Sequence, residues 1–206
     1  MNAPAFWLPT GTGRVVDLLQ PSVEMIDLKV DVAEALARVP RFAGHVRSGA
    51  YSVAQHSVMG ADALWRETGN KDLAAAFLLH DGHEFVIGDI TTPVAGALTR
   101  LGGPQVGRAI EYLKRQVDRA VFQAAGIEYP FAVDIAAAVK AMDLRMLATE
   151  RRHLVAPTPL RWAAEVEAAK PIRLVGKFRV WPWPEAADEF RARLDAYLPR
   201  KKRTAA

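Results

Sequence analysis

Five ionisable side chains crowd the end of an apolar run in the stretch AAAFLLHDGHEFVIGDI, residues 74–90. They are His80, Asp81, His83, Glu84 and Asp89. On a helix, at about 100° per residue, His80, Asp81 and Glu84 would share one face. Because unpaired burial of such groups costs several kcal/mol, we expect either a divalent metal ion that compensates them or a helix end that emerges into solvent.

Two distant stretches add potential ligands of the same type. VAQHS carries His56, and KAMDLRML carries Asp143 within an apolar helical pattern. Together with the His80-Asp81 pair, these side chains could converge on one divalent ion. Imidazole and carboxylate ligands suit Mn²⁺, Co²⁺, Fe²⁺, Ni²⁺ or Zn²⁺, and the sequence does not choose among these metals. Because the chain contains no cysteine, thiolate ligands are excluded.

Other catalytic motifs are absent from the sequence. HDGHE matches neither H-E-x-x-H nor H-x-x-E-H, which argues against a helical metalloprotease. The chain also lacks a G-x-x-x-x-G-K-[ST] loop, a complete dinucleotide-binding fingerprint and a nucleophilic-serine elbow. The candidate that remains is a metal site built on histidine and carboxylate.

Amphipathic patterns predict the helices that must position these residues. DVAEALARV predicts a helix that stops at Pro40. Ser52 is a suitable cap for the next helix, which ends near Gly69, and Asn70 or Asp72 is suitable for the one after it. That third helix carries LAAAFLLHDGHEF and is apolar on every face, so we expect it to be central and buried.

The rest of the sequence also predicts helices, with irregular segments near both termini of the chain. Gly88 and Pro93 bracket a predicted turn, and two longer helices follow, separated by Gly126 and Pro130. EAADEFRARLDAYL predicts a last amphipathic helix after an irregular stretch. The N-terminal part predicts an irregular leader or a short hairpin around GRVVDLL and VEMIDLKV. The whole pattern favours a single, all-α domain.

Composition points to an ordinary soluble protein. Half of the 206 residues are hydrophobic and 24% are charged. The formal net charge of +4 equals the four basic residues in the tail PRKKRTAA, so a nucleic-acid partner is not expected. We expect that tail to be solvated and disordered, although it could bind a phosphate backbone or anionic lipid. No leader or membrane span is evident, so we expect a cytoplasmic protein without a membrane partner.

Several motifs occur together in the order of a known family: PRFAGH, YSVAQHS, LLHDGHEFVIGDITTPV, VKAMDLRMLATERR and PTPLRW. They resemble the HD-domain metal-dependent phosphohydrolases, and in particular the branch of bacterial 5′-deoxynucleotidases and phage dATP triphosphohydrolases. The resemblance covers residues 12–198. It implies one all-α HD-domain helical bundle over residues 1–198, with irregular N- and C-terminal segments, followed by the basic tail, residues 199–206.

The resemblance also assigns roles to individual residues. It implies four ligands to one divalent ion: His56, His80, Asp81 and Asp143. It places Glu84 beside the attacking water, where a carboxylate can accept a proton, and Asp89 near the scissile ester, where a protonated carboxyl could protonate the leaving oxygen.

A second group of residues is implied in substrate binding. Arg41 offers a planar fork for phosphate and Phe42 a face for sugar or base, although Phe42 could equally belong to the core. Lys140 is similar to a phosphate-binding lysine of the family. His45 either lines the phosphate pocket or makes a hydrogen bond that stabilises its loop.

Two positions depart from the family pattern. Ala95 stands where relatives often carry a lysine, so the sequence lacks one positive charge that could bind a long phosphate chain. His83 stands where relatives usually have a small residue. Its side chain could support the metal ligands from outside, donate to a phosphate, or simply be exposed.

These observations give one leading function and two alternatives. The leading expectation is hydrolysis of the 5′-phosphate of deoxynucleoside monophosphates to nucleoside and phosphate. A deoxynucleoside triphosphate triphosphohydrolase, which releases triphosphate, is the close alternative. A catalytically idle nucleotide sensor is a third, although two acids near the ion argue against it. A homodimer is suggested by the resemblance alone.

Overall fold

Helices supply almost all of the regular structure in the computed structural model, which describes residues 5–199. The helices are α1 (Ala33–Arg38), α2 (Val53–Thr68), α3 (Lys71–Leu78), α4 (Glu84–Ile87), α5 (Thr92–Gly102), α6 (Pro104–Ala125), α7 (Val133–His153), α8 (Ala164–Ala168) and α9 (Trp183–Tyr197). The predicted all-α fold with irregular ends is confirmed. Within residues 5–199 no helix is long and apolar enough to cross a membrane. Apart from Pro199, the predicted basic tail lies outside the described residues.

A short hairpin begins the described chain, and one of its two strands lies in the predicted segment GRVVDLL. β1 (Trp7–Pro9) pairs antiparallel with β2 (Val15–Asp17), so that Leu8 faces Val16. The predicted second strand, VEMIDLKV, instead forms a 3-10 turn followed by a π-helical turn that leads into α1. Asp27 favours this helical start because its carboxylate accepts hydrogen bonds from two backbone N–H groups of the π-helical turn.

The predicted caps of α2 and α3 are confirmed. The Ser52 hydroxyl accepts a hydrogen bond from the backbone N–H of Gln55 at 3.2 Å. Gly69 ends α2 in the left-handed conformation, with φ 65°, which glycine adopts without a steric penalty. Asn70, rather than Asp72, caps α3, because its side-chain oxygen accepts from two N–H groups of the first turn.

The predicted continuation of α3 through the HDGHE motif is wrong. α3 ends at Leu78, residues 79–83 form turns, and α4 starts at Glu84. Gly82 permits this break: a Cβ there would lie 2.8 Å from the Leu79 carbonyl oxygen and 2.9 Å from Val121 Cγ1 of α6. The ionisable side chains therefore meet through a tight turn, not along one face of a helix.

The region after the motif also differs from its prediction. The turn at Gly88 is present, with φ 79°, but Pro93 lies in the first turn of α5 and not at the end of a loop. Proline is favourable there because the first N–H groups of a helix have no partner within it. No side chain of α5 is buried. Its proline and glycines favoured a turn in the prediction, although they lie within the helix.

The core is centred on α3, as expected from its apolar sequence. Residues 74–79 are buried, and α3 packs against α2, α7 and α9. At the closest point of α2, a Cβ on Gly60 would lie 2.0 Å from Cε1 of Phe77. The Phe77 ring in turn contacts the imidazoles of His80 and His56, with centroid separations of 4.2 and 5.5 Å. This packing sets the distance between the two helices that carry the histidines.

The last helix fastens this core through a partly buried polar cluster. α9 buries Phe190 and Leu194, as its predicted stripe requires. Asp62 of α2 accepts hydrogen bonds from the Arg193 guanidinium, the shortest at 2.7 Å, and from the Tyr197 hydroxyl at 2.6 Å. Hydrogen bonds to a charged, poorly solvated group are stronger than neutral ones, so this cluster ties α9 to α2.

We expect Gly60→Ala to destabilise the fold by about 1–3 kcal/mol, because Phe77 must move to admit the methyl group. The measurement is the free energy of unfolding in denaturant. The matched control is Gly96→Ala in α5, where nothing lies within 4 Å of the new Cβ. That variant should gain about 0.5–1 kcal/mol from helix propensity. Equal stability of the two variants would contradict the close packing of α2 and α3.

We expect Asp62→Asn to cost about 1–3 kcal/mol in thermal or chemical unfolding, because it removes the charge that Arg193 and Tyr197 share. Asp195→Asn is the matched control. Its carboxylate is 64% exposed and pairs only with Lys29 in the described chain, so the change should stay within about 0.5 kcal/mol. If Asp195→Asn lowers the free energy of unfolding as much as Asp62→Asn does, the partial burial of Asp62 does not make its interactions stronger.

Candidate metal centre

Three segments bring four potential metal ligands together: α2, the turn after α3, and α7. Their ligand atoms are His56 Nε2, His80 Nε2, Asp81 Oδ2 and Asp143 Oδ1. Five of the separations between them run from 3.2 Å, for His80 and Asp81, to 3.9 Å, for His80 and Asp143. A tetrahedral ion with ligands at about 2.0–2.1 Å requires separations of about 3.4 Å. The group could therefore hold one divalent ion.

Hydrogen bonds at Nδ1 orient both histidines so that their Nε2 atoms point toward the other ligands. His56 Nδ1 lies 2.6 Å from a carboxylate oxygen of Glu150, and His80 Nδ1 lies 2.6 Å from the Phe77 carbonyl oxygen. Each acceptor oxygen holds a proton on Nδ1, so that Nε2 is the nitrogen that faces the other ligands and is available to a metal ion.

Glu150 is a site residue that the sequence did not reveal. Its side chain is fully buried, and one oxygen accepts hydrogen bonds from the Tyr51 hydroxyl at 2.8 Å and from His56. The other oxygen lies 3.4 Å from the Arg41 guanidinium. Burial alone would raise the pKa of Glu150, but the charges of Arg41 and His56 outweigh it and hold the pKa below its ordinary value. The C-terminal end of α7 thus contributes one buried carboxylate to the site.

Arg41 reaches the site from a segment with an unusual backbone. Phe42 and Ala43 have φ values of 56° and 50°, in the left-handed region that non-glycine residues rarely adopt. Such strain persists only where the surroundings hold it, and here the Arg41 N–H donates to the Tyr51 carbonyl at 2.8 Å. The guanidinium then lies 3.2 Å from Asp81. Burial opposes its charge, but the carboxylates of Glu150, Asp81 and Asp143 raise the pKa of Arg41 further.

The ligand cluster carries a surplus of negative charge. Burial would lower the pKa of His80, but Asp81 and Asp143 outweigh this and raise it well above its ordinary value. Burial would likewise raise the pKa of Asp81 and Asp143, yet their histidine neighbours hold both pKa values low. The low pKa values favour the ionised form of both carboxylates, which is the form that binds a divalent cation.

The two predicted catalytic acids lie beside this cluster. Burial, with smaller contributions from Asp81 and Asp89, raises the pKa of Glu84 to about 9. Burial also raises the pKa of Asp89, opposed by Arg41 and by Lys114 of α6. Lys114 is a second residue that the sequence did not single out, because α6 is far from the motifs in the chain.

The residues predicted to bind substrate lie at the edge of the site. The Phe42 ring is half-buried and meets Trp162 edge-on, with centroids 6.3 Å apart, so it is not part of the core. Lys140 is exposed, and its Nζ lies 3.9 Å from Asp143. His45 is exposed and, within residues 5–199, its imidazole makes no hydrogen bond to the ligand cluster.

His83 is buried, so the alternative in which it is exposed is wrong. Its Nδ1 lies 2.9 Å from a carboxylate oxygen of Asp118 on α6, and its backbone N–H donates to the same oxygen at 3.2 Å. Its side chain also lies beside Asp81 and Glu84, with one ligand atom of each residue within 4.8 Å of the others.

Comparison with curated proteins finds relatives whose names state no activity. An uncharacterized protein of Rhodobacter capsulatus is 30% identical over 192 residues, which cover 91% of this chain and 93% of the relative. The uncharacterized protein YfdR of Escherichia coli is 34% identical over 124 residues, which cover 60% of this chain and 59% of YfdR. No protein-family model matches the sequence.

We expect Glu150→Gln to weaken Mn²⁺ binding by about 10–100-fold, because it removes the charge that orients His56 and Arg41. Isothermal titration calorimetry at fixed pH gives the affinity. Glu67→Gln is the control, since Glu67 forms a solvent-exposed pair with Arg145. An unchanged affinity in the Glu150 variant would contradict its orienting role.

Proposed function

The chain belongs to the same family as the uncharacterized Rhodobacter capsulatus protein, and we propose that it is a divalent-metal-dependent phosphohydrolase of the HD-domain type. Its proposed reaction is hydrolysis of the 5′-phosphate of deoxynucleoside monophosphates. The observation that carries this proposal is the convergence of His56, His80, Asp81 and Asp143 beside two acids. Five of the separations between their ligand atoms are 3.2–3.9 Å. The order of the family motifs supports it independently.

The proposed metal is held by those four side chains. Their mixed imidazole and carboxylate character suits Mn²⁺, Co²⁺, Ni²⁺, Fe²⁺ or Zn²⁺. When bound, such an ion would draw charge from the phosphoryl oxygens and make water more acidic. Glu150 and the Phe77 carbonyl support the ion indirectly, because they keep both Nε2 lone pairs directed into the cluster.

Arg41 is the proposed phosphate-orienting residue. Its guanidinium is fixed by Asp81 and Glu150, and its Nε is buried with no hydrogen-bond partner among the described residues. A buried donor without a partner is unfavourable, and a phosphoryl oxygen would satisfy it. The same charge would stabilise the phosphoryl group as a new bond to oxygen forms.

Glu84 and Asp89 are the proposed proton-transfer residues. Glu84 accepts a proton from the attacking water as its oxygen bonds to phosphorus. Asp89 donates a proton to O5′ as the bond between phosphorus and O5′ breaks, which releases nucleoside and phosphate. The raised pKa of Asp89 favours a protonated carboxyl for this step. A neighbouring divalent ion would favour the ionised carboxylate that Glu84 needs.

A triphosphohydrolase is the second candidate, and Lys114 is the observation that favours it. Both reactions cleave at the phosphorus next to O5′, so one metal centre serves either. Lys114 and Lys140 bring positive charge to the site from α6 and α7, and Ala95 offers none. A longer phosphate chain could reach either lysine. Phe42 is available to a sugar or base in both cases.

A homodimer and a deoxynucleotide as small-molecule partner are also proposed from the family resemblance. The exposed apolar side chains of α5, Val94, Leu98 and Leu101, provide one surface that a second copy could cover.

We expect the protein to release phosphate from deoxynucleoside monophosphates with Mn²⁺, Co²⁺ or Ni²⁺, measured across a panel of mono- and triphosphates with chromatography of the products. Asp81→Ala should lower kcat/KM at least about 1,000-fold, because the change removes one of the four proposed metal ligands. Asp195→Asn is the surface control. Triphosphate as product would select the second candidate. Absence of turnover with every ion, or full activity in Asp81→Ala, would refute the proposed activity. The alternative of a catalytically idle nucleotide sensor would then stand.

A further inference from the structure

A second group of ligand-type side chains adjoins the first and shares one residue with it. Ligand atoms of Asp81, His83 and Glu84 lie within 4.8 Å of one another. His83 and Glu84 are each only 6% exposed, so this group is not a patch of solvated surface charge. The proposed reaction uses Glu84 but gives His83 no task.

Two atoms of this group are buried without a hydrogen-bond partner among the described residues. They are His83 Nε2 and Glu84 Oε2. Buried polar atoms are nearly always paired, and each exception indicates a missing ligand or a strained group. One cation between them would satisfy both atoms, since an imidazole lone pair and a carboxylate oxygen are both metal ligands.

Asp118 prepares His83 for such a role. Its carboxylate accepts the Nδ1 proton at 2.9 Å, and the same oxygen accepts the His83 backbone N–H at 3.2 Å. With its proton fixed on Nδ1, His83 keeps the lone pair on Nε2, which is the atom without a partner. Glu150 prepares His56 in the same way at the first site.

Several carboxyl groups that a bound cation could neutralise surround this group. Asp81, Glu84, Asp118 and Asp143 are four carboxyl groups in one partly buried region. Arg41 is the guanidinium that contacts Asp81, and Glu150 shares it.

We propose that Asp81, His83 and Glu84 form a second divalent-cation site, which Asp118 orients and which shares Asp81 with the first site. One imidazole and two carboxylates suit Mn²⁺, Fe²⁺ or Zn²⁺. A carboxylate has two oxygens, so Asp81 can bridge two ions, and pairs of ions about 3.5–4 Å apart are common in phosphoryl-transfer enzymes. This inference extends the proposed metal centre and does not depend on the identity of the substrate.

The test is the number of Mn²⁺ ions that the full-length protein binds. Equilibrium dialysis with metal analysis gives the stoichiometry, and electron paramagnetic resonance detects two coupled Mn²⁺ ions. We expect two ions per chain and a coupled spectrum in the unmodified protein. His83→Ala should bind one ion and lose the coupling. His153→Ala, which removes an exposed imidazole stacked on Phe178, should still bind two.

His83→Gln is a second variant that preserves a polar side chain if His83→Ala does not fold, and it should also bind one ion. Asp118→Asn should weaken the second ion about 10–100-fold and leave the first in place. One ion per chain in both the unmodified protein and the His83 variants would overturn the second site while the first stands. No bound ion at all would overturn both sites.

Discussion

The buried carboxylate of Glu150 is the interaction on which the rest of the site depends. A charge in the interior is tolerated only when it is paired and hydrogen-bonded, and Glu150 obtains Arg41, His56 and Tyr51 as partners. These partners all lie in residues 41–56, about a hundred residues before Glu150 in the chain. Because removing any one of them leaves a buried charge unsatisfied, the network fixes the orientation of His56 and the position of Arg41 together.

The close contact of α2 with α3 is the second constraint. Gly60 lets the Phe77 ring lie against α2, and that ring contacts both His56 and His80. The turn after α3 then changes direction because Gly82 can approach Val121 of α6. Asp81 consequently meets the first ligand cluster and Arg41, whereas the next side chain, His83, meets Asp118. One tight turn thus supplies both groups of ligand-type side chains.

Features that depend on local sequence were predictable. Ser52 and Asn70 cap their helices through backbone groups two or three residues away, and the apolar run of α3 predicted its burial. The break after α3 was missed because its cause, the approach to α6, is not local. α5 was missed because the proline near its start favoured a turn in the sequence. Glu150 lies two turns after Asp143 on α7, a spacing that could have indicated a shared face. It was missed because it stands among charged residues, which are typical of a solvated surface.

By itself, the sequence determined the types and order of the potential metal ligands and the helices that carry them, since both follow from residue identity and local periodicity. Only the tertiary structure decided which imidazole nitrogen faces the cluster, which carboxylates are ionised and where His83 points. The physical reason is that proton positions and pKa values depend on groups in contact through space. The partners that fix them are distant in the chain: His56 and Glu150 are 94 residues apart, and His83 and Asp118 are 35 apart.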